Sequence, residues 1–151
     1  RQRPQTSFLI GGAQYPENFP WTANIRFVQH LPPSEHPAFF CSSRLTLNVT
    51  RQAMARMGYC PSGRLFEAAA CGAAILSDEW VGLDQFLEPG REILIARNAA
   101  DTLAALESSD AELQNIARAA QERVLSEHTA AHRARDLEQI LDEALCTPVE
   151  V

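Results

Sequence analysis

The sequence predicts an α/β domain with a mostly parallel sheet. Three observations carry that reading. Short apolar runs recur between segments with helical periodicity, turn residues punctuate them, and the composition is that of a globular chain. The 151 residues are 46% hydrophobic and 21% charged, which suits one packed domain and excludes a disordered chain, a collagen or a simple coiled coil.

The elements follow in order. Ser7-Phe8-Leu9-Ile10 is a short apolar run ended by Gly11-Gly12, read as a buried strand that leaves into a tight turn. Residues 13–24 hold Pro16, Asn18, Pro20 and Asn24 and form a loop. Ile25 to Leu31 reads as a second strand, stopped by Pro32-Pro33, with Ser34 capping a short helix that runs through Arg44. Leu45 to Val49 alternates and is β-rich, a third strand. Residues 50–61 lack clear periodicity and read as a loop with room for one helical turn.

Pro61-Ser62-Gly63 opens a helix to Cys71, closed by Gly72 at its carboxyl end. Ala73 to Leu76 is the fourth strand. Gly82 to Leu87 is a short helix stopped by Pro89-Gly90, and Glu92 to Ala96 is the fifth strand. Asn98 and Asp101 start a helix to about Glu107, and Ser109-x-x-Glu112 is a capping box. The last two helices carry apolar stripes, Leu113, Ile116, Ala117, Ala120 and Val124 on one and Leu137, Ile140, Leu141, Ala144 and Leu145 on the other. Both are expected to pack on the domain's own core.

Strands alternating with helices imply βαβ units, hence a Rossmann-like three-layer domain over residues 1–151 with extra helices at its carboxyl end. Ligands of such sheets sit beyond the carboxyl ends of the strands. That rule selects Gly11-Gly12, His30 to Pro32, Asn48 to Arg51 and Ser77-Asp78 as rim positions.

Charge narrows the function. The formal net charge is −6, and all 13 basic residues are Arg. A nucleic-acid binder would carry a broad basic face, so no nucleic-acid partner is expected. No acid lies between Glu35 and Glu67, yet Arg44, Arg51, Arg56 and Arg64 do. This local positive stretch reads either as a solvated face or as an anion site. No apolar run approaches the ~20 residues that cross a bilayer, so no membrane span is expected. The sequence opens at Arg1 without Met or an apolar leader, as an excised piece of a longer chain or a processed amino terminus would. Cys41, Cys60, Cys71 and Cys146 show no C-x-x-C spacing. Three of them read as buried thiols in a reducing, cytoplasmic setting, without a disulfide framework or a zinc site. Asn48-Val49-Thr50 matches a glycosylation sequon and is taken as chance.

The richest segment runs from Cys60 to Gly72. A helix beginning at Ser62-Gly63 just after a rim loop has free N–H groups and a positive dipole end. Gly63 lets a ligand approach the backbone, and Arg64 adds a planar fork for two phosphate oxygens. Glu67, one turn on, suits a sugar diol. Together they describe a cradle for a diphosphate and its neighbouring ribose. The plainer alternative keeps Ser62 as a helix cap and pairs Glu67 with Arg64.

Leu65-Phe66-Glu67-Ala68-Ala69-Ala70-Cys71-Gly72-Ala73-Ala74-Ile75-Leu76-Ser77-Asp78 resembles the nucleotide-sugar-binding signature of GT-B glycosyltransferases, which often reads P-S … L-E-A-M-A-C-G-x-P-V-V. Ile25-Arg26-Phe27 with Pro33-Ser34-Glu35, and Glu88 to Leu94 with Asn98 to Leu106, are similar to the flanking elements of that family. The subgroup similar to CgeB, a spore-maturation protein, matches best, from about Phe8 to Leu145. The resemblance implies the carboxyl-terminal, donor-binding domain of a two-domain enzyme. Its donor would be a nucleotide-diphosphate sugar. Ser62, Gly63 and Arg64 would hold the diphosphate, with Arg64 steadying the leaving group. Glu67 would meet the ribose, Gly11 and Gly12 would flank the phosphates, and the backbone at His30 and Leu31 would face the base. Apart from the resemblance, Arg51 and Arg56 read either as a rim loop closing over the donor or, equally, as solvated surface. No metal and no cofactor are implied. An amino-terminal domain would bind the acceptor and supply any catalytic base, so the fragment by itself is expected to be inactive.

Two departures stand out. Many GT-B enzymes have a second Glu eight residues before the one matched by Glu67, and here that position is Tyr59. The basic pair often found after the first strand is missing, because Gln14 to Asn24 holds no Arg or Lys. The alternatives are a non-catalytic binding domain on the same scaffold and a nucleotide-sugar epimerase-like domain.

Overall fold

A computed structural model describes residues 2–13 and 15–146. They divide between Ala38 and Phe39 into two compact units.

In the first unit, β1 (Phe8–Gly11) and β2 (Ile25–Val28) pair in parallel, in register from Phe8↔Ile25 to Gly11↔Val28. Successive side chains of a strand face opposite sides. Phe8 and Ile10 are partly buried while Leu9 is exposed, so β1 is half-covered rather than the buried strand the sequence predicts. The connection, as expected, has no helix or strand among its described residues. Asn24 anchors it by donating to the carbonyls of Arg3 (3.1 Å) and Thr6 (2.7 Å). Tyr15, Phe19, Trp21 and Phe27 form an edge-on and tilted ring cluster, with Phe19 and Trp21 centroids 4.4 Å apart.

β2 ends three residues before the predicted Leu31. Pro32, not Ser34, caps the following 3-10 turn (Pro33–Glu35), because the fixed φ of Pro33 suits the first helical position. The helix α1 (His36–Cys41) continues from it and stops short of Arg44.

The second unit contains β3 (Thr46–Asn48), β4 (Ile75–Ser77) and β5 (Leu94–Ile95), all parallel in the order β3-β4-β5. Between β3 and β4 lie α2 (Gln52–Met57) and α3 (Gly63–Ala70). Residues 50–61 are thus not a plain loop, since a six-residue helix fills half of them. After β5 come α4 (Ala99–Glu107), α5 (Asp110–Glu127) and α6 (Ala130–Cys146). Parallel strands linked through helices make this the α/β, Rossmann-like class.

Local chemistry sets the helix ends. Asn98 accepts from the N–H groups of Ala100 and Asp101 at the start of α4. The capping box of α5 is complete, with Ser109 and Glu112 bonding each other's backbone. At the end of α3, Gly72 takes φ +69°, a left-handed conformation that costs glycine little. Gln121 of α5 donates to the Ala70 carbonyl at 2.8 Å and so satisfies one of the helix's last acceptors. The small residues Ala68 and Ala69, facing Ala120 and Val124 in the same core, let α3 and α5 approach closely. Leu65, Ile75, Leu87 and Ile93 are fully buried around them, and Trp80 is core as well.

Four sequence expectations change here. The α5 stripe is buried at Leu113, Ala117, Ala120 and Val124 as predicted. The α6 stripe does not pack on this core: Leu137, Ile140, Leu141 and Leu145 are 52–84% exposed. Its periodicity is real, but it is α5 that packs against α3. Cys41 is exposed and Cys60 and Cys71 are only partly buried, so they are not the buried thiols read from their small neighbours. Arg44 is no anion ligand. It ties the α4–α5 junction, donating to Asp110 Oδ1 (2.7 Å), the Leu106 carbonyl (3.2 Å) and the Ser108 carbonyl. Arg56 lies in the last turn of α2 and so sits on a helix rather than on a rim loop, while Arg51 is the extended N-cap residue just before that helix.

Candidate functional site

The carboxyl ends of β3 and β4 carry the polar core of the second unit. Asn48 and Ser77 are direct neighbours in the β3–β4 register, and each is 1% exposed. Asn48 Nδ2 donates to Ser77 Oγ at 2.9 Å. Just past the strand ends, the Thr50 N–H donates to Asp78 Oδ1 at 2.8 Å, which splices the loops leaving the two strands. Asn48, Ser77 and Asp78 line a pocket of about 270 Å³ whose far wall is Ala96, Arg97, Asn98 and Thr102. The pocket lies where open parallel sheets bind ligands. Asn48 is thus buried, with its amide nitrogen bonded to Ser77 and its oxygen facing Arg64.

The helix α3 begins at the same rim. Ser62 is its N-cap, and its hydroxyl accepts from the Arg64 N–H at 3.4 Å. Gly63, Arg64 and Glu67 are all exposed, so the helix tip is open to solvent and not packed inside. Arg64 reaches from the first turn of α3 to the end of β3, where its Nη1 donates to Asn48 Oδ1 at 3.3 Å. A carbon added to Gly63 would lie 3.7 Å from Glu67 Oε1. The carboxylate therefore sits on the Gly63 side of the helix, as the one-turn spacing predicts. No acid belongs to the first turn of α3, and the Glu67 carboxylate of the next turn is the acid that stands beside its positive end.

Ser62, Gly63, Arg64 and Glu67 thus share one exposed helix end of the second unit, and Arg51 lies at the start of α2 in the same unit. The other predicted site residues belong to the first unit. Gly11 ends β1, and the Gly12 N–H donates to the Val28 carbonyl at 3.0 Å with open space where a side chain would stand. His30 is exposed, and the Leu31 carbonyl accepts from His36 Nε2 at 3.2 Å.

Four features lay outside the sequence reading. The Arg64–Asn48 contact joins residues on different elements, and only the rim rule pointed at Asn48. Arg97, at the pocket wall, grips Glu79 with two bonds of 2.6 and 2.8 Å; this pairing holds the Glu79 carboxyl below and the Arg97 guanidinium above their usual ranges. A second pocket of about 650 Å³ opens beside Glu79–Asp84, with Ala55, Pro89 and Ile95. Trp80 borders it while packing in the core, and its buried Nε1 has no hydrogen-bond partner. Tyr59, at the departure noted above, has φ +50°, and among the described residues it is the one non-glycine with positive φ.

Among the described residues, no helix is long and apolar enough to cross a membrane. The fold matches solved enzymes. Sucrose-phosphate synthase from Thermosynechococcus elongatus superposes with a TM-score of 0.67 at 14% identity, over 81% of this chain and 30% of that one. HepE from Anabaena, solved in complex with UDP-glucose, superposes with a TM-score of 0.64 at 16% identity, over 80% of this chain and 33% of that one. A second HepE structure, with UDP and glucose, agrees (TM-score 0.64, 15% identity, 80% and 32% coverage). The chain therefore spans about a third of the length of the solved proteins it matches. No curated protein matches its sequence. The glycosyl transferase-like family model covers residues 1–139, and the chain belongs to that family, on the Rossmann-like scaffold of the GT-B glycosyltransferases.

Proposed function

We propose that residues 1–151 are the donor-binding domain of a two-domain glycosyltransferase, and that the donor is a nucleotide-diphosphate sugar. The observation that carries this reading is the open tip of α3, with Arg64 reaching the end of β3 and Glu67 beside Gly63. In the reaction, the bond from the sugar's anomeric carbon to the diphosphate oxygen breaks and a bond to an acceptor hydroxyl forms. Negative charge then gathers on the departing diphosphate. Arg64, a permanent cation, and the N–H groups of Ser62 and Gly63 would stabilise that charge more than the ground state. Glu67 would accept hydrogen bonds from the ribose diol, and Arg51 of the same unit would complete this side of the donor site. The donor is itself the substrate, and this mechanism calls for no cofactor and no metal. The acceptor and any general base would come from an amino-terminal domain, so this fragment would bind donor without turning it over. HepE, which shares the fold, has been solved with UDP-glucose, and this supports the choice of donor class. Within the family we place the chain in the CgeB-like subgroup, acting in the cytoplasm.

The test is a titration with UDP, GDP, ADP, dTDP and inorganic pyrophosphate, followed by thermal shift or NMR. At least one nucleotide diphosphate should bind, and Arg64→Ala should weaken it by about 1–3 kcal/mol, the scale of a lost hydrogen bond to a charged group. Absence of binding by all four nucleotides, or binding indifferent to Arg64, would remove the donor assignment.

A further inference from the structure

Resting on the donor-binding reading, we propose that Asn48 is a positioning residue: it holds the Arg64 guanidinium over the carboxyl rim of the sheet and leaves its charge available to an anion.

The argument starts from the strand register. Pairing of β3 with β4 sets Asn48 opposite Ser77, on the same face of the sheet. Burial at 1% exposure leaves the Asn48 amide no solvent to turn toward. A guanidinium can only donate, so the Asn48 oxygen must be the atom that faces Arg64. The amide nitrogen is then committed to Ser77 Oγ, 2.9 Å away. Each partner fixes the other's choice, and the acceptor for Arg64 Nη1, at 3.3 Å, is oriented by the bond to Ser77. Arg64 itself is exposed. A long exposed side chain samples many rotamers and loses much entropy on binding, whereas one already tied at one nitrogen loses less and keeps its other donors for a ligand.

The residue type matters as much as the place. An Asp at position 48 would grip Arg64 more tightly but would cancel its charge where a diphosphate needs it. Asn is a neutral acceptor of the same shape. It fixes the fork without satisfying its electrostatics.

The test uses pyrophosphate, which needs no choice of base, and a double-mutant cycle. Asn48→Ser keeps a hydroxyl beside Ser77 and is too short to reach Arg64. It should lower pyrophosphate affinity about tenfold, the scale of one charged hydrogen bond, and add nothing in an Arg64→Ala background. Asn48→Asp should also lower affinity while retaining the Arg64 contact; it is the variant to read if Asn48→Ser does not fold. A second readout is ligand-free: in ¹⁵N-arginine NMR spectra the Arg64 guanidinium should rotate slowly in the wild type and Asn48→Asp, and freely in Asn48→Ser. Full affinity in folded Asn48→Ser or Asn48→Asp, or losses that add to that of Arg64→Ala, would overturn the positioning role while leaving the donor site standing. If neither pyrophosphate nor any nucleotide binds the wild type, the donor reading fails. The guanidinium dynamics then decide the positioning claim alone, and equal mobility in the wild type and in the Asn48→Ser variant ends it.

Discussion

Glu67 Oε1 stands 3.7 Å from where a side-chain carbon of Gly63 would be. That is ordinary van der Waals separation, so alanine fits at position 63 in the unliganded fold. Gly63 is the first residue of α3, where alanine favours the helix and reduces the freedom of the unfolded chain. Gly63→Ala should therefore stabilise the protein by up to about 1 kcal/mol. The same methyl would stand between a phosphate and the first N–H groups of the helix. Nucleotide-diphosphate affinity should fall even as the melting temperature rises. A variant that gains stability and binds as tightly as the wild type would show that no ligand approaches this backbone.

Glu67 separates ribose from phosphate. A carboxylate repels phosphate but accepts two hydrogen bonds from a diol. Glu67→Ala should weaken nucleotide diphosphates by about 1–3 kcal/mol and leave pyrophosphate unchanged or slightly tighter. Isothermal titration of both ligands checks this. Unchanged nucleotide affinity would remove the ribose role, and equal loss for both ligands would make Glu67 a structural support of the helix tip.

The loop after β4 is built on a close approach. A carbon added to Gly82, whose φ is +91°, would come within 2.4 Å of Tyr59 Cδ1. Gly82→Ala should thus destabilise the fold by more than about 1 kcal/mol, from left-handed strain and from the ring it meets. Tyr59→Gly relieves a positive φ and removes the ring. In the Tyr59→Gly background the cost of Gly82→Ala should shrink toward the backbone contribution alone, read from urea unfolding of the four proteins. Strictly additive effects would mean that the ring moves aside at no cost.

How far the sequence alone reaches differs between fold and site. Strands, the caps Ser62 and Asn98, and the capping box at Ser109 and Glu112 were legible because each is set by neighbours in sequence, whereas the cap expected at Ser34 falls at Pro32. The α2 helix was not, because six residues ending at Gly58 are too short to show a period. The α6 stripe was visible but its burial was not, since a helical pattern says which residues share a face and not what covers them. At the site, Ser62 to Glu67 could be read from one helix and its spacing. Arg44 and Arg64 looked alike in the acid-free stretch, yet one clamps the α4–α5 junction and the other meets Asn48. Only tertiary placement tells such residues apart, and Asn48 itself carried no signal beyond its position at a strand end.

His128 links pH to stability. Its Nε2 donates to the Phe86 carbonyl at 3.2 Å, and its ring centroid lies 5.6 Å from Phe66 and 5.8 Å from Phe86. Burial above all, and then the Arg133 and Arg123 charges, hold its pKa below the ordinary 6.5, although the Phe86 carbonyl opposes this. Its buried Nδ1 has no acceptor for a second proton. Above pH 6.5 the imidazole is neutral both folded and unfolded, and its contribution to stability is fully present. As pH falls below 6.5 the unfolded chain takes up the proton first, so stability is lost progressively down to the lower folded pKa. Urea midpoints should therefore drop between about pH 7.5 and about pH 5.5. His128→Phe keeps a ring between Phe66 and Phe86 but cannot be protonated. It should cost a roughly constant amount for the lost hydrogen bond and flatten the slope in that window, where carboxylates have already ionised. A slope identical in wild type and His128→Phe would assign the pH dependence to another of the four histidines.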